Sequence, residues 1–358
     1  MISHNSLTID WLNQVSSENR KADKILIEKV IRALLLLEGL VKGELEFVFK
    51  GGTALMLLNN STKRLSIDID VIISNQTQDL EAIFDQLVPE CSFNWYKLQE
   101  RNTNSNIEKA HYKFYYTPVH QTNIAEDYVL LDILFEEPHY SNIVDQAINS
   151  SFLIQDGEPL MVKVPSFEDI LGDKLTAFAP ETTGIPYEKN GISRAMEIMK
   201  QLYDIGGLLT YVEDAETVAR TFNIFAKTEL NYRNLEPDVA LVLNDIYNTA
   251  LHVSTNGKDG HGKIDQLISG ANKVKNYIFS ESYHIDRAIT DASKAAYISK
   301  VIEYGISEFV KFENSSQIAQ WTIELPLNTK LNKLKKSNPE AFFYWYQVFI
   351  IGKNDKSI

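Results

Sequence analysis

Cysteine is almost absent: Cys91 is the single one in 358 residues. One thiol can neither close an internal disulfide nor build a cysteine-based zinc site, so both of those classes are excluded. Long apolar runs are absent as well. None approaches the roughly 18 residues of a membrane span, and the longest candidate, 33–37, lies inside an otherwise charged helical pattern. Met1 is followed by polar residues, which argues against a secretory signal and leaves the cytoplasm as the expected compartment. Basic charge is also short: 35 Lys+Arg against 48 Asp+Glu give a net charge of −13. Such a chain does not coat nucleic acid non-specifically, although a local basic groove is compatible with it. No repeat and no low-complexity tract is present. Hydrophobic residues at 44% and charged residues at 23% are ordinary globular composition, which excludes a disordered or collagen-like chain. The length suits about two domains of roughly 150 residues.

The periodicity divides the chain in the same way. Leu26, Val30, Leu34, Leu37 and Val41 recur at three- and four-residue spacing, which predicts a helix over 21–42 with Gly43 as its stop. Strands are expected at 46–50, 66–73, 93–98, 110–116, 128–135 and 160–164, with short helices at 53–58 and 78–87. From Pro165 onward the pattern is helical, with candidates at 166–178, 192–203, 213–226, 237–251, 264–278, 285–311 and 338–350. The expected architecture is α+β: a mixed sheet with flanking helices over 1–164, then an all-helical domain over 165–358.

The chemistry concentrates in two short segments. Residues 49–55 read Phe-Lys-Gly-Gly-Thr-Ala-Leu, and residues 64–71 read Arg-Leu-Ser-Ile-Asp-Ile-Asp-Val. Side chains alternate along a strand, so Asp68 and Asp70 share a face while Ile67, Ile69 and Val71 turn to the core. Two adjacent carboxylates repel unless a cation lies between them. Magnesium suits such an oxygen site, since it takes one or two carboxylates plus substrate phosphates. Gly51 and Gly52 let backbone N–H groups approach a phosphate, and the helix beginning at Thr53 adds its positive end. A glycine pair alone is usually only a turn, and an Asp-x-Asp strand usually only an exposed face. The two in this order make a phosphate-and-metal site.

These segments resemble the nucleotidyltransferase superfamily with the DNA polymerase β-like fold, and within it the AbiEii/AbiGii toxins of abortive-infection and toxin–antitoxin systems. That family carries Lys-Gly-Gly-Thr-x-Leu, here Lys50, Gly51, Gly52, Thr53, Ala54 and Leu55, and Arg-x-Ser-x-Asp-x-Asp, here Arg64, Ser66, Asp68 and Asp70. Asp173-Lys174-Leu175-Thr176-Ala177 resembles the family's Lys-Leu-x-Ala core, and 194–204 resembles its basic helix ending in an Asp. The resemblance runs from about residue 25 to 210. It implies an NTP substrate, two Mg2+ ions, transfer of a nucleotide to an acceptor such as the 3′ end of tRNA, and a cognate antitoxin as partner. No membrane association is implied.

The resemblance also assigns roles. A third carboxylate belongs on a neighbouring strand, and Asp132, within an apolar run, is the candidate; the alternative is an acid at a strand edge facing water. Lys174 is read as a cation for the triphosphate, against a surface lysine. Asp204 is read as a partner of Lys174, a residue that orients the nucleotide, or a helix end. Arg64 either contacts phosphate or bridges the acids. Residues 257–263 mimic half of a P-loop, but Ile264 stands where Ser or Thr must ligate magnesium, so a flexible polar loop is expected. The histidines show no metal-ligand spacing, and Cys91 is read as a packing residue. Lys330, Lys333, Lys335 and Lys336 are read as a solvated face, with RNA contact as the alternative. Two other functions stay open: transfer to a protein or small molecule, and a non-catalytic binding protein.

Overall fold

The structure is a computed structural model, and it describes residues 1–59, 64–74, 78–99, 108–120 and 124–355. The polar loop read at 59–61 lies beyond Asn59 outside the described residues. The chain divides into two units, one of residues 1–166 with 277–281 and one of 167–276 with 282–358. The sequence reading put the break at 164/165 and did not contain the return of 277–281. That return is a short bridge, Arg64 to Ile278, with the Leu65 N–H donated to the Tyr277 carbonyl at 2.8 Å.

The first unit contains helices α1 (Ile9–Glu18), α2 (Lys24–Lys42), α3 (Gly51–Leu58) and α4 (Leu80–Glu90). Its strands are β1 (Val48–Lys50), β2 (Ile69–Ile72), β3 (Trp95–Leu98), β4 (Lys109–Tyr116), β5 (Asp127–Leu134), β6 (Ile143–Ala147) and β7 (Met161–Pro165). The main sheet has the order β1-β2-β5-β4-β3; β2 and β5 are parallel and the other neighbours antiparallel. Strands β6 and β7 form a separate ribbon. One face of the main sheet is core: Ile69, Val71, Phe114, Val129, Leu131 and Ile133 join Leu34 and Leu37 of α2 and Phe84 of α4. Helix α2 is buried along nearly its whole length, so its polar residues need partners. Glu28 pairs with Arg32 at 3.3 Å and accepts the Val119 N–H, and Glu38 accepts the Ile2 N–H at 2.7 Å.

The second unit contains α5 (Phe167–Ala177), a small hairpin of β8 (Glu188–Lys189) and β9 (Ile192–Ser193), α6 (Ala195–Leu208), α7 (Ala215–Tyr232), α8 (Val239–Ser254), α9 (Ile264–Val274), α10 (Ile285–Glu303), the one-turn helices α11 (Asn328–Leu331) and α12 (Leu334–Ser337), and α13 (Pro339–Asp355). Helix α10 is its centre. Ala288, Ala292, Ala295 and Ala296 are fully buried on it, and small side chains permit close approach of α6, where Gly206 lies against Asp291. Among the described residues no helix is long and apolar enough to cross a membrane.

Candidate active site

Register places the site. Lys50 of β1 pairs with Asp70 of β2, Asp70 with Asp132 of β5, and Asp132 with His111 of β4. Directly paired residues project from the same face, so one row of side chains crosses four strands: lysine, aspartate, aspartate, histidine. The neighbouring row, Phe49, Val71 and Ile133, is buried and fixes which way the acids turn. Asp132 lies in the middle of a strand paired on both sides, so the reading of it as an edge acid does not hold. Asp68 differs from its expected setting. The strand begins at Ile69, one residue later, and Asp68 is exposed just ahead of it.

The Gly-Gly turn packs on this row. Gly51 has φ +82°, and a Cβ there would lie 2.2 Å from Asp70 Oδ2. A Cβ on Gly52 would lie 2.7 Å from both Arg64 Nη2 and Ser66 Oγ. Glycine is therefore required twice, by backbone conformation at the first position and by close approach at both. Helix α3 starts here with Lys50 at the N-cap, whose side chain makes no capping hydrogen bond. First-turn N–H groups thus lie beside the acids, an arrangement suited to phosphate. Thr53 is a different matter. It is fully buried, and its hydroxyl donates to the Asp68 carbonyl at 2.6 Å, so its side chain holds the acid loop rather than facing a ligand. Arg64 is buried, with Nη1 donating to the Leu65 carbonyl at 3.1 Å, and it packs against Gly52.

His111 was not read from the sequence. Its Nδ1 is 2.5 Å from Asp132 Oδ1, and the side chains are 12% and 29% exposed. One oxygen of Asp132 is thereby engaged and the ring fixes the carboxylate plane. No local spacing could have revealed it, because His111 and Asp132 meet only through strand register.

Lys174 and Asp204 belong to the helical unit. Lys174 on α5 is buried rather than a surface lysine, and its ammonium is 2.8 Å from Asp204 Oδ2 on α6. Gln201 Oε1 accepts a further hydrogen bond from it at 3.3 Å. Asp204 does not end a helix, since α6 continues to Leu208; of the three roles read for it, the ion pair with Lys174 is present. The P-loop look-alike follows the end of helix α8 and is a turn-rich loop in which Asp259 pairs with Lys330. Cys91 is buried against Gly39, and burial pushes its thiol up to about 12.

The two carboxylates, Asp70 and Asp132, offer oxygen donors, which suit magnesium better than zinc. Among the described residues no three His, Cys, Asp or Glu side chains converge as a self-sufficient metal cluster. Two carboxylates completed by substrate phosphates is the set magnesium commonly takes, so the residues fit that ion. The turn gives a first expected outcome. Gly51→Ala should lower turnover by about 100-fold by displacing Asp70, because even a 1 Å misplacement costs that much. It should also cost about 1–2 kcal/mol of stability from the left-handed backbone, read by thermal unfolding. Wild-type turnover in that variant would contradict the packing described.

Two solved structures from Helicobacter pylori resemble the chain. JHP933 aligns at 15% identity over 86% of this chain and 95% of that one, with a TM-score of 0.40. A chain provisionally described as a nucleotidyltransferase aligns at 18% identity over 78% and 94%, also with a TM-score of 0.40. Among curated proteins none matches the chain. Residues 35–252 match the family described as nucleotidyl transferase AbiEii toxin, type IV TA system, a stretch that holds the Gly-Gly turn, the acid row and the Lys174–Asp204 pair. The chain therefore belongs to the AbiEii family of nucleotidyltransferase toxins.

Proposed function

We propose that this nucleotidyltransferase moves an NMP from an NTP to the 3′-hydroxyl of a tRNA, and that Mg2+ is its cofactor. The observation that carries the reading is the in-register row of Lys50, Asp70, Asp132 and His111 beside a glycine turn that packs on Asp70. Asp70 and Asp132 would hold the metal, with Asp68 as a third ligand. Bound there, Mg2+ supplies charge neutralisation at the phosphates and a more acidic acceptor hydroxyl.

The chain's own groups do the rest. The α3 N-terminus and the Gly51–Gly52 backbone orient the triphosphate, while Lys50 adds positive charge at the end of the row. His111 holds Asp132 in one orientation. The acceptor oxygen forms its bond to the α-phosphorus, the bond to the β-phosphate oxygen breaks, and pyrophosphate leaves. The hydroxyl proton is released to solvent. This is catalysis by positioning and electrostatics, with no covalent enzyme intermediate. Lys174, paired with Asp204, is read as the cation that balances the departing phosphates.

The family's toxin–antitoxin setting supports a cognate antitoxin as partner, a role in abortive infection and action in the cytoplasm. Incubation of the full chain with Mg2+, each α-labelled NTP in turn and total cellular RNA tests the reading. The expected result is label in the tRNA band, falling steeply between about 50 and 200 mM salt. Label in a protein or a small molecule, with no RNA labelled under any NTP, would overturn the acceptor. No label anywhere would overturn the reaction.

A further inference from the structure

The face that carries the acids continues outward to the sheet edge, and its residues change character along the way. On β4 the outward side chains run His111, Lys113, Tyr115. On β5 they run Asp132, Leu130, Tyr128, and on β3 Lys97 and Trp95 stand opposite Lys113 and Tyr115. Moving about 13 Å from the acids, at roughly 3.3 Å per residue, one crosses first a pair of lysines and then three aromatic rings.

Each zone has a feature that suits an anion or a base. Lys97 and Lys113 are directly paired across two strands, and like charges so placed repel. They border a surface depression with Gln99 and Tyr115, and Lys113 Nζ lies 4.1 Å from the centre of the Tyr128 ring. Concentrating cations this way is against the trend of a chain with net charge −13. Beyond them, Trp95 stacks on Tyr115 at 3.9 Å and 6°, and Tyr115 meets Tyr128 at 5.8 Å. Trp95 is nonetheless 41% exposed and Tyr128 37%. Glu126 accepts from Trp95 Nε1 at 3.2 Å and so holds the indole in place. Aromatic rings held rigid and open to solvent beside lysines are how proteins bind single strands: bases stack and phosphates pair with cations. By contrast, Lys330 and Lys335 in the helical unit are engaged internally, with Asp259 and with the Ala319 and Trp321 carbonyls.

The geometry points to this strip as the track for the single-stranded 3′ end of the RNA acceptor, with its terminal hydroxyl at Asp70 and Asp132, its last phosphates at Lys97 and Lys113, and its preceding bases on Trp95 and Tyr128, Tyr115 backing the indole. The inference rests on the nucleotidyl-transfer reading for which end enters first, but its test does not require turnover. Fluorescence anisotropy of a 5′-fluorescein single-stranded RNA with a free 3′-hydroxyl is measured on the full chain carrying Asp70→Asn, without NTP. Trp95→Ala should weaken binding roughly five- to 150-fold, the range for loss of one base-stacking ring, and Trp95→Phe should restore most of it. Lys113→Ala should lower the slope of log K against log salt by about 0.7, the value for one phosphate on a single strand. NTP-induced thermal shifts of these variants, on the otherwise unaltered chain, should match wild type. Unchanged RNA affinity in Trp95→Ala and Lys113→Ala would overturn the track, as would no RNA binding by the parent chain. Loss of a co-purified protein partner from Trp95→Ala, with RNA affinity intact, would assign the strip to protein and also overturn it. Trp95-dependent RNA binding without RNA labelling would leave the track standing and remove the reaction.

Discussion

Asp70→Asn is expected to reduce nucleotidyl transfer by about 1,000-fold or more while leaving the fold intact. Asp70 is flanked in register by Asp132 and is the carboxylate on which the Gly51 turn packs. Neutralising it removes one of the carboxylates proposed to hold a cation whose contribution would be several kcal/mol of transition-state charge stabilisation. Each 1.36 kcal/mol is a factor of ten in rate, which sets the size of the loss. Stability should change little, because Asn keeps the shape of the side chain on which the Gly51 turn packs. Steady-state incorporation from α-labelled NTP, read beside thermal unfolding, checks both parts. A variant that keeps a tenth of the wild-type rate would remove Asp70 from the chemistry.

The second large effect is at Lys174. Its ammonium and Asp204 are almost completely buried together in the helical unit. Lys174→Met leaves the Asp204 carboxylate without its cation, and breaking a buried pair from one side typically costs about 3–5 kcal/mol. The single variant therefore confuses folding with function. Lys174→Met with Asp204→Leu removes both charges, and such apolar replacement of a buried pair is often neutral or stabilising. The double variant should recover most of the stability lost in the single one. Its turnover should still be about 100- to 1,000-fold below wild type, the usual loss of one preorganised electrostatic group. A stable double variant with wild-type kcat would make the pair purely structural. Denaturant unfolding and kcat on the same samples separate the two.

What could be read in advance follows physical range. Helix α2 was legible because its apolar residues recur locally, and Phe49-Lys50-Gly51-Gly52 and Asp70 because turn chemistry and strand alternation are local too, whereas Asp68 lies ahead of the strand rather than on it. Asp132 was found as an acid in an apolar run, and its strand as a β-branched stretch. Contacts set by pairing were not legible. His111 against Asp132, and Lys97 against Lys113, exist only once β4 has neighbours on both sides, and no spacing in the chain encodes that register. The short strand β6 was missed because Ile143–Ala147 is mostly exposed and lacks an apolar alternation. The helix read over 285–311 ends instead at Glu303, where Gly305 takes φ +62° and stops it. Thr53 was assigned to phosphate by its place in the motif, and burial turned its hydroxyl to the Asp68 carbonyl instead.

Binding of Mn2+, followed by electron paramagnetic resonance in the presence of a non-hydrolysable α,β-methylene NTP, tests the acid row most directly. Saturable, nucleotide-dependent Mn2+ binding is expected for the unaltered chain, with its loss in both Asp70→Asn and Asp132→Asn. Mn2+ binding of equal affinity in all three proteins would contradict it.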